Sequence, residues 1–383
     1  MVSTRRQFLK GTVAGSGLAS LNLASIKSHA AFTAATETGL KDLYAKDFKI
    51  GTAISGANMR AADPKFMGLI AKEFNAITME NNMKWERLNP EQGKWDWEIP
   101  DKFMAFGASQ NMYILGHVLV WHSQVPDWVF KNAKGKDINA RKLKARMVDH
   151  IEQLAGRYKG KISAWDVLNE AVDEGNGWRK SPWFNIIGPK FVDLAFNTAH
   201  EIDPNAHLIY NDYNMHNPDK RDFVVKMVRD LKKRGVPIQG IGMQGHVALD
   251  YPSIKELEDS IKAFAAEGMR VHITELDVDV LPAAWDHIGA EISTNFEYSD
   301  QLNPYTKGLP AEIEAKLASR YSDLFKLFLK YRDDIERVTF WGTGDKESWK
   351  NDFPVRGRTN YPLLFDREYK RKPCYDAVAA LKK

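Results

Sequence analysis

The chain has 383 residues, 44% of them hydrophobic and 11% aromatic, enough apolar material to bury a large core without disulfides or metals. Its 54 basic and 50 acidic residues leave a net charge of +4 and are scattered along the chain. No run of like charge is available to track a phosphate backbone, which excludes nucleic acid as a partner. The single cysteine, Cys374, rules out an intramolecular disulfide and reads as a small buried hydrophobe, not a nucleophile.

At the N-terminus, Arg5 and Arg6 precede a weakly apolar, Gly-rich stretch over 11–26 and then Ser28-His29-Ala30. That is the three-part layout of an export signal. The string Ser3-Thr4-Arg5-Arg6-Gln7-Phe8-Leu9-Lys10 resembles the twin-arginine signal, and Lys27 after the apolar stretch fits that route. Residues 1–30 are therefore expected to be a signal peptide, cleaved after Ala30. A membrane anchor needs about 20 consecutive apolar residues, and this stretch is shorter and broken by Ser, Thr, Asn and Gly. The mature protein is expected outside the cytoplasm, periplasmic or secreted, with no membrane contact.

Past the signal there is no Pro/Ser/Gly-rich linker, low-complexity tract or internal repeat. One domain is expected over 31–383. Short β-branched or apolar runs at 49–55, 76–83, 113–121, 162–172, 207–214, 240–247, 270–278 and 337–344 predict eight strands. Apolar residues at helical spacing predict helices at 64–74, 140–158, 190–202, 220–234, 254–267 and 311–331, with Gly235 and Gly268 placed to end two of them. This alternation places the chain in the α/β class with a parallel sheet, and eight units in about 350 residues suit a closed (β/α)8 (TIM) barrel. A doubly wound open sheet is the rival, but no Gly-rich phosphate loop follows any strand.

Chemistry-bearing residues gather at the strand ends, where a barrel places its catalytic groups. Strand two ends in Glu80-Asn81-Asn82-Met83-Lys84-Trp85, strand three in His117-Val118-Leu119-Val120-Trp121-His122 and strand four in Asn169-Glu170. Strand six ends in Gln244-Gly245-His246, strand seven in Glu275-Leu276-Asp277 and strand eight in Trp341, with Trp349 beyond. Any one of these has an ordinary structural explanation, but the joint occurrence argues for a site. Glu170 and Glu275 occupy corresponding strand ends, and a pair of carboxylates flanking a bond is what glycoside cleavage requires. The aromatics offer flat faces for sugar rings, and the Asn, Gln, His and Lys side chains offer donors and acceptors for hydroxyls. His117 and His122 lie five residues apart along a strand and loop, which directs their rings to different faces and argues against a metal. A Ser-His-Asp hydrolase is dropped because the Gly-x-Ser-x-Gly elbow is missing.

Asp166-Val167-Leu168-Asn169-Glu170, Ile273-Thr274-Glu275-Leu276-Asp277 and Gly116-His117-Val118-Leu119-Val120-Trp121-His122 resemble the signatures of glycoside hydrolase family 10. The resemblance runs from about residue 40 to the end, through Gly242-Met243-Gln244-Gly245-His246 and Pro362-Leu363-Leu364-Phe365-Asp366. It implies a retaining endo-1,4-β-xylanase acting on xylan and xylo-oligosaccharides, with no cofactor and no metal, expected to act as a monomer. It implies Glu275 as nucleophile and Glu170 as acid/base, Asn169 on the sugar 2-hydroxyl and His246 on the nucleophile. Lys84, His117, Trp121, Gln244 and Trp341 would surround the sugar at the cleavage point. Glu80, Asn81 and Trp349 would hold the next sugar toward the non-reducing end, and Tyr213 a leaving-group sugar. The segment 285–309 departs from the family pattern in length and is expected to shape the leaving-group side. A β-glucanase on the same barrel and a sugar-binding protein with an inactive site are the rival readings.

Overall fold

Strand propensity and burial close this chain into a ring. In the computed structural model, which describes residues 38–175, 177–282 and 302–382, eight strands pair in parallel. They are β1 (Lys49–Ile54), β2 (Ala76–Met79), β3 (Tyr113–Val120), β4 (Ala164–Asn169), β5 (His207–Asp212), β6 (Gly240–Met243), β7 (Arg270–Asp279) and β8 (Ile335–Phe340). Neighbours in sequence are neighbours in space, and β8 pairs with both β7 and β1, so Val338 lies opposite Ile273 on one side and Ile50 on the other. The strands are buried almost throughout their length, as expected where helices cover a parallel sheet.

Each strand is followed by a helix: α1 (Pro64–Glu73), α2 (Glu98–Ser109), α3 (Ala140–Arg157), α4 (Phe191–Ile202), α5 (Pro218–Lys233), α6 (Ile254–Ala266), α7 (Ala311–Lys330) and α8 (Pro373–Ala380). The expected fold is therefore the observed one. Gly235 and Gly268, both at φ 70°, follow α5 and α6 as the sequence suggests.

Two of these eight helices escaped the sequence reading. In α2 the breakers Pro100 and Gly107 mask the pattern, yet Pro100 sits in the first turn, where no backbone bond is lost. Gly107 lies so close to the next layer that a Cβ there would come within 2.6 Å of Ile114. Helix α8 is a short C-terminal segment.

The reading also ran several strands too far. The run expected over 76–83 stops at Met79, because Glu80, Asn81 and Lys84 turn into the site. The run over 240–247 breaks after Met243, where Gly245 takes φ 83°, a left-handed conformation costly for other residues. Pairing resumes at His246–Ala248, which lies alongside Asp277–Asp279 of β7. Cys374 is buried against the carbonyl of Leu363, and that burial pushes its thiol up to about 12, so it is no nucleophile.

The expected signal, 1–30, and most of the 285–309 segment lie outside the described residues. Among the described residues no helix is long and apolar enough to cross a membrane.

Candidate active site

At the C-terminal ends of the strands a cleft of about 390 Å³ opens. The thirteen residues that the resemblance assigns to a site all line it: Glu170 and Glu275 with Glu80, Asn81, Lys84, His117, Trp121, Asn169, Tyr213, Gln244, His246, Trp341 and Trp349. His122 is not among the lining residues; its ring packs against Trp121.

Glu170 follows the last residue of β4 at φ 54°, a left-handed conformation that a non-glycine residue adopts only when its surroundings hold it there. Two bonds do so. Its backbone N–H donates to the carbonyl of Asn211 (2.9 Å), and Arg179 Nε donates to its carbonyl (2.8 Å). Arg179 is positioned by a small antiparallel hairpin of Val172–Asp173 and Gly177–Trp178. The turn aims the carboxyl into the cleft, where Oε2 accepts from Trp121 Nε1 (2.9 Å) and Oε1 from Gln244 Nε2 (2.9 Å) and Asn169 Nδ2 (3.2 Å). All three donors are neutral.

Glu275, in β7, has different company. Its Oε1 accepts from Asn211 Nδ2 (2.8 Å), and its Oε2 faces His246 Nε2 at 3.2 Å. Burial alone pushes its carboxyl up, but the His246 hydrogen bond and the charges of His117, His246 and Lys84 outweigh it and hold the group below the usual carboxylate value. The other ring nitrogen of His246 lies 3.0 Å from Asp277 Oδ2. Burial disfavours the charged ring, yet Asp277 and Glu275 together raise it to about 9. Asp277 is itself pushed up by burial and brought below its ordinary value by His246 and Lys350. Glu275 is thus kept ionised by a cationic neighbour, whereas Glu170 is cradled by neutral donors.

The carboxylates are joined through amides. Asn211 Nδ2 reaches both Glu275 Oε1 and Asn169 Oδ1 (3.0 Å), while Asn169 Nδ2 reaches Glu170, and Thr274 Oγ1 fixes the Asn211 amide at 2.6 Å.

The remaining walls of the cleft are held as firmly. Lys84 Nζ donates to Asn81 Oδ1 (2.9 Å) and Gln124 Oε1 (2.8 Å) and lies over the Trp121 ring; burial lowers its pKa. Burial likewise raises Glu80. His117 Nδ1 is 2.9 Å from Asp166 Oδ2, and its ring meets Trp341 edge to face. Trp349 donates Nε1 to Asp277 Oδ2 (2.8 Å) and stacks on Phe353. The Tyr213 hydroxyl accepts from Arg179 Nη2 (2.7 Å), with Lys220 Nζ over its ring at 3.7 Å.

Sequence reasoning missed Gln124, Asn211 and Arg179. Asn211 left a signal, a buried polar residue inside the apolar run of β5. Gln124 and Arg179 sit on irregular segments that carry none. Among the described residues no group of three or more His, Cys, Asp or Glu is arranged to hold a metal ion.

A (β/α)8 barrel presenting two buried carboxylates in unequal electrostatic surroundings, within a cleft walled by indoles and amides, defines a glycoside hydrolase of the carboxylate-pair type. The chain belongs to glycosyl hydrolase family 10, whose model matches residues 39–381. It is 45% identical over 351 residues to an endo-1,4-beta-xylanase A of Xylanibacter ruminicola, covering 92% of this chain and 95% of that relative. An endo-1,4-beta-xylanase of Geobacillus stearothermophilus is 41% identical over 341 residues, covering 88% and 96%. The solved structure of a GH10 endoxylanase retrieved from sugarcane soil metagenome is 56% identical and superposes with a TM-score of 0.86, covering 90% of this chain and all of that one.

Proposed function

We propose that the protein is a retaining endo-1,4-β-xylanase in which Glu275 is the nucleophile and Glu170 the acid/base. The observation that carries the assignment is the contrast between the two carboxylates. Glu275 is held ionised by His246, whereas the carboxyl of Glu170 accepts only from neutral donors. A nucleophile has to be charged before the bond breaks, and an acid has to hold its proton until the leaving oxygen needs it.

In the first half-reaction a Glu275 oxygen attacks the anomeric carbon as Glu170 gives its proton to the departing glycosidic oxygen, leaving a glycosyl ester on Glu275. In the second, Glu170, now a carboxylate, takes a proton from water. The water oxygen attacks the same carbon, and Glu275 leaves as a carboxylate. Asn169 is placed between Glu170 and Asn211 to bond the sugar 2-hydroxyl, an interaction that strengthens as the ring gains oxocarbenium character. Lys84, His117, Trp121, Gln244 and Trp341 surround the sugar at the cleavage point. Glu80, Asn81 and Trp349 hold the sugar beyond it, and Tyr213 receives the first leaving-group sugar.

Both half-reactions need only two carboxylates and water. The substrate is xylan and its oligosaccharides, the catalytic domain spans 31–383, and the enzyme acts as a monomer after export through a twin-arginine signal over 1–30.

The test is digestion of xylan and of a β-1,4-glucan, following viscosity together with reducing ends. Internal cleavage of xylan makes viscosity fall well before reducing ends accumulate. Release from the glucan without release from xylan overturns the substrate assignment.

A further inference from the structure

Arg179 touches two groups with separate duties in the proposed reaction. Its Nε donates to the backbone carbonyl of Glu170 (2.8 Å) and its Nη2 to the hydroxyl of Tyr213 (2.7 Å). From this bridge we infer that Arg179 is a positioning residue, through which a sugar on Tyr213 steadies the turn that aims the Glu170 carboxyl. The inference rests on the proposed xylan-cleaving activity and deepens it. It gives work to the guanidinium and the phenolic hydroxyl, which stacking and proton transfer do not by themselves require.

The turn comes first. Glu170, at φ 54°, is in a conformation that persists only where its surroundings impose it. Its N–H is fixed by the carbonyl of Asn211 (2.9 Å), and the peptide that follows it is fixed by Arg179. The rest of the loop is secured by other means. The N–H of Val172 donates to Tyr210 Oη (3.1 Å), the backbone N–H of Arg179 donates to the carbonyl of Ala171 (2.9 Å), and Val172 pairs with Trp178 across the hairpin. The guanidinium is therefore not what folds the loop. Taking it away frees one peptide plane, and with it the direction in which the Glu170 side chain leaves the backbone.

Tyr213 is the other end of the bridge. Its N–H donates to Asp212 Oδ1 (2.9 Å). One face of its ring is covered by Lys220 Nζ at 3.7 Å, a buried ammonium that also pairs with Asp212 (2.9 Å) and Glu174 (3.2 Å). The opposite face is left for the cleft. A guanidinium has donors and no acceptor, so the phenolic oxygen accepts from Arg179 and its own proton is turned elsewhere. A hydroxyl that donates to a sugar or a bound water becomes a better acceptor in turn, because successive hydrogen bonds polarise one another. A sugar settling at Tyr213 thus tightens the bond to Arg179, and Arg179 holds the turn.

The chemistry decides where this shows. A departing sugar oxygen needs the proton of Glu170, whereas a dinitrophenolate leaves without one. A misaimed acid is felt in proportion to the basicity of the leaving group, while a general disturbance of the fold is felt equally by all substrates.

The experiment measures kcat/KM for xylotetraose and for a series of aryl xylobiosides graded by leaving-group pKa. Glu170→Ala supplies the leaving-group dependence of an enzyme without its acid. Arg179→Met is expected to lose roughly ten- to hundredfold more on xylotetraose than on the dinitrophenyl substrate, the cost of a small misplacement. Its plot of log kcat/KM against leaving-group pKa steepens toward that of Glu170→Ala. Arg179→Lys keeps the charge and can hold one of the two oxygens, and is expected to fall between. Tyr213→Phe keeps the ring and cuts the bridge at its other end, so it shows the same pattern at smaller size and adds nothing further when combined with Arg179→Met. It decides the matter even where Arg179→Met fails to accumulate as folded protein. A uniform loss across the series with the wild-type slope overturns the inference, as does a Tyr213→Phe effect that adds in full to that of Arg179→Met. Should Glu170→Ala itself leave the slope unchanged, the assignment of the acid falls instead.

Discussion

His246 directs Nε2 at Glu275 Oε2 from 3.2 Å while its Nδ1 rests 3.0 Å from Asp277, so the charge of Glu275, the proposed nucleophile, is set by a ring that Asp277 keeps protonated. This predicts a pH signature. Glu275 lies below its ordinary value because donors outweigh burial. Removing the ring in His246→Asn leaves burial less opposed, and the acid limb of kcat/KM moves up by about one to two pH units, the worth of one hydrogen bond to a charged group. Stability carries the opposite limb. The folded-state value of His246 is raised from 6.5 to about 9, so its contribution is complete below pH 6.5 and is lost as pH rises through about 9. Melting temperatures of wild type and variant therefore converge across that window. An unmoved acid limb would show that His246 does not control Glu275.

The two carboxylates part company on activated substrates. Glu275→Ala is expected to abolish turnover of every substrate, because no ester can form. Glu170→Ala removes acid assistance worth roughly 10²–10⁴ in rate. It spares the first step on an aryl xylobioside whose leaving group needs no proton, and a burst of phenol in stopped flow reports it. Equal losses on activated and natural substrates would falsify the assignment.

Much of this was legible because a barrel concentrates its chemistry. Strand-end positions in a sequence with eight apolar runs become one rim in space, so order alone placed Glu170 and Glu275 on the same cleft, and the resemblance added their expected roles. What stayed hidden was local. Glu170 is aimed by its own left-handed backbone, and Arg179, which holds its carbonyl, follows a hairpin too short to leave a periodic pattern. Asn211 was visible as a polar residue in an apolar run, but that its amide touches both Asn169 and Glu275 is a property of the packed strands. Helix α2 was lost because Pro100 and Gly107 read as breakers, although the first turn accepts one and close packing requires the other.

The proposed attack by Glu275 fixes the stereochemistry. Each half-reaction inverts the anomeric carbon, so the first sugar released keeps the β configuration, the outcome for carboxyl pairs about 5–5.5 Å apart. Proton NMR of a fresh digest, read before mutarotation, gives the β-anomer signal first. Early α-anomer would require water, not Glu275, as the attacking group.

Export depends on the paired arginines if the twin-arginine reading is right. Exchanging Arg5 and Arg6 together for lysine keeps the charge and removes the motif. Folded, active, uncleaved enzyme is expected to accumulate inside the cell, detected by zymogram and by the mass of the intact chain. Undiminished export of the double variant points to the general secretory route.

Selectivity for xylose over glucose is argued from Trp349, which follows Trp341 by eight residues and stands where the cleft meets the neighbouring cavity. Its indole is not free to swing aside. Nε1 is tied to Asp277 at 2.8 Å, one face stacks on Phe353 at 5.1 Å, and the ring of His246 meets it at 5.0 Å. Xylose has only hydrogens at C5, where glucose carries a hydroxymethyl group, so a fixed indole at that carbon fits the first and collides with the second. Trp349→Ala is expected to lower activity on xylan and raise the ratio of aryl cellobioside to aryl xylobioside hydrolysis. A group of that size is typically worth about 1–3 kcal/mol, so the ratio of kcat/KM values is expected to rise roughly tenfold or more. Trp349→Phe removes the bond to Asp277 and part of the bulk, and is expected to fall between the two. Asp277 retains its contact with His246 in both variants, so the acid limb set by Glu275 serves as an internal control and is expected to stay near its wild-type position. A fixed ratio, with both activities falling together, would make Trp349 a general binding surface and end the exclusion argument.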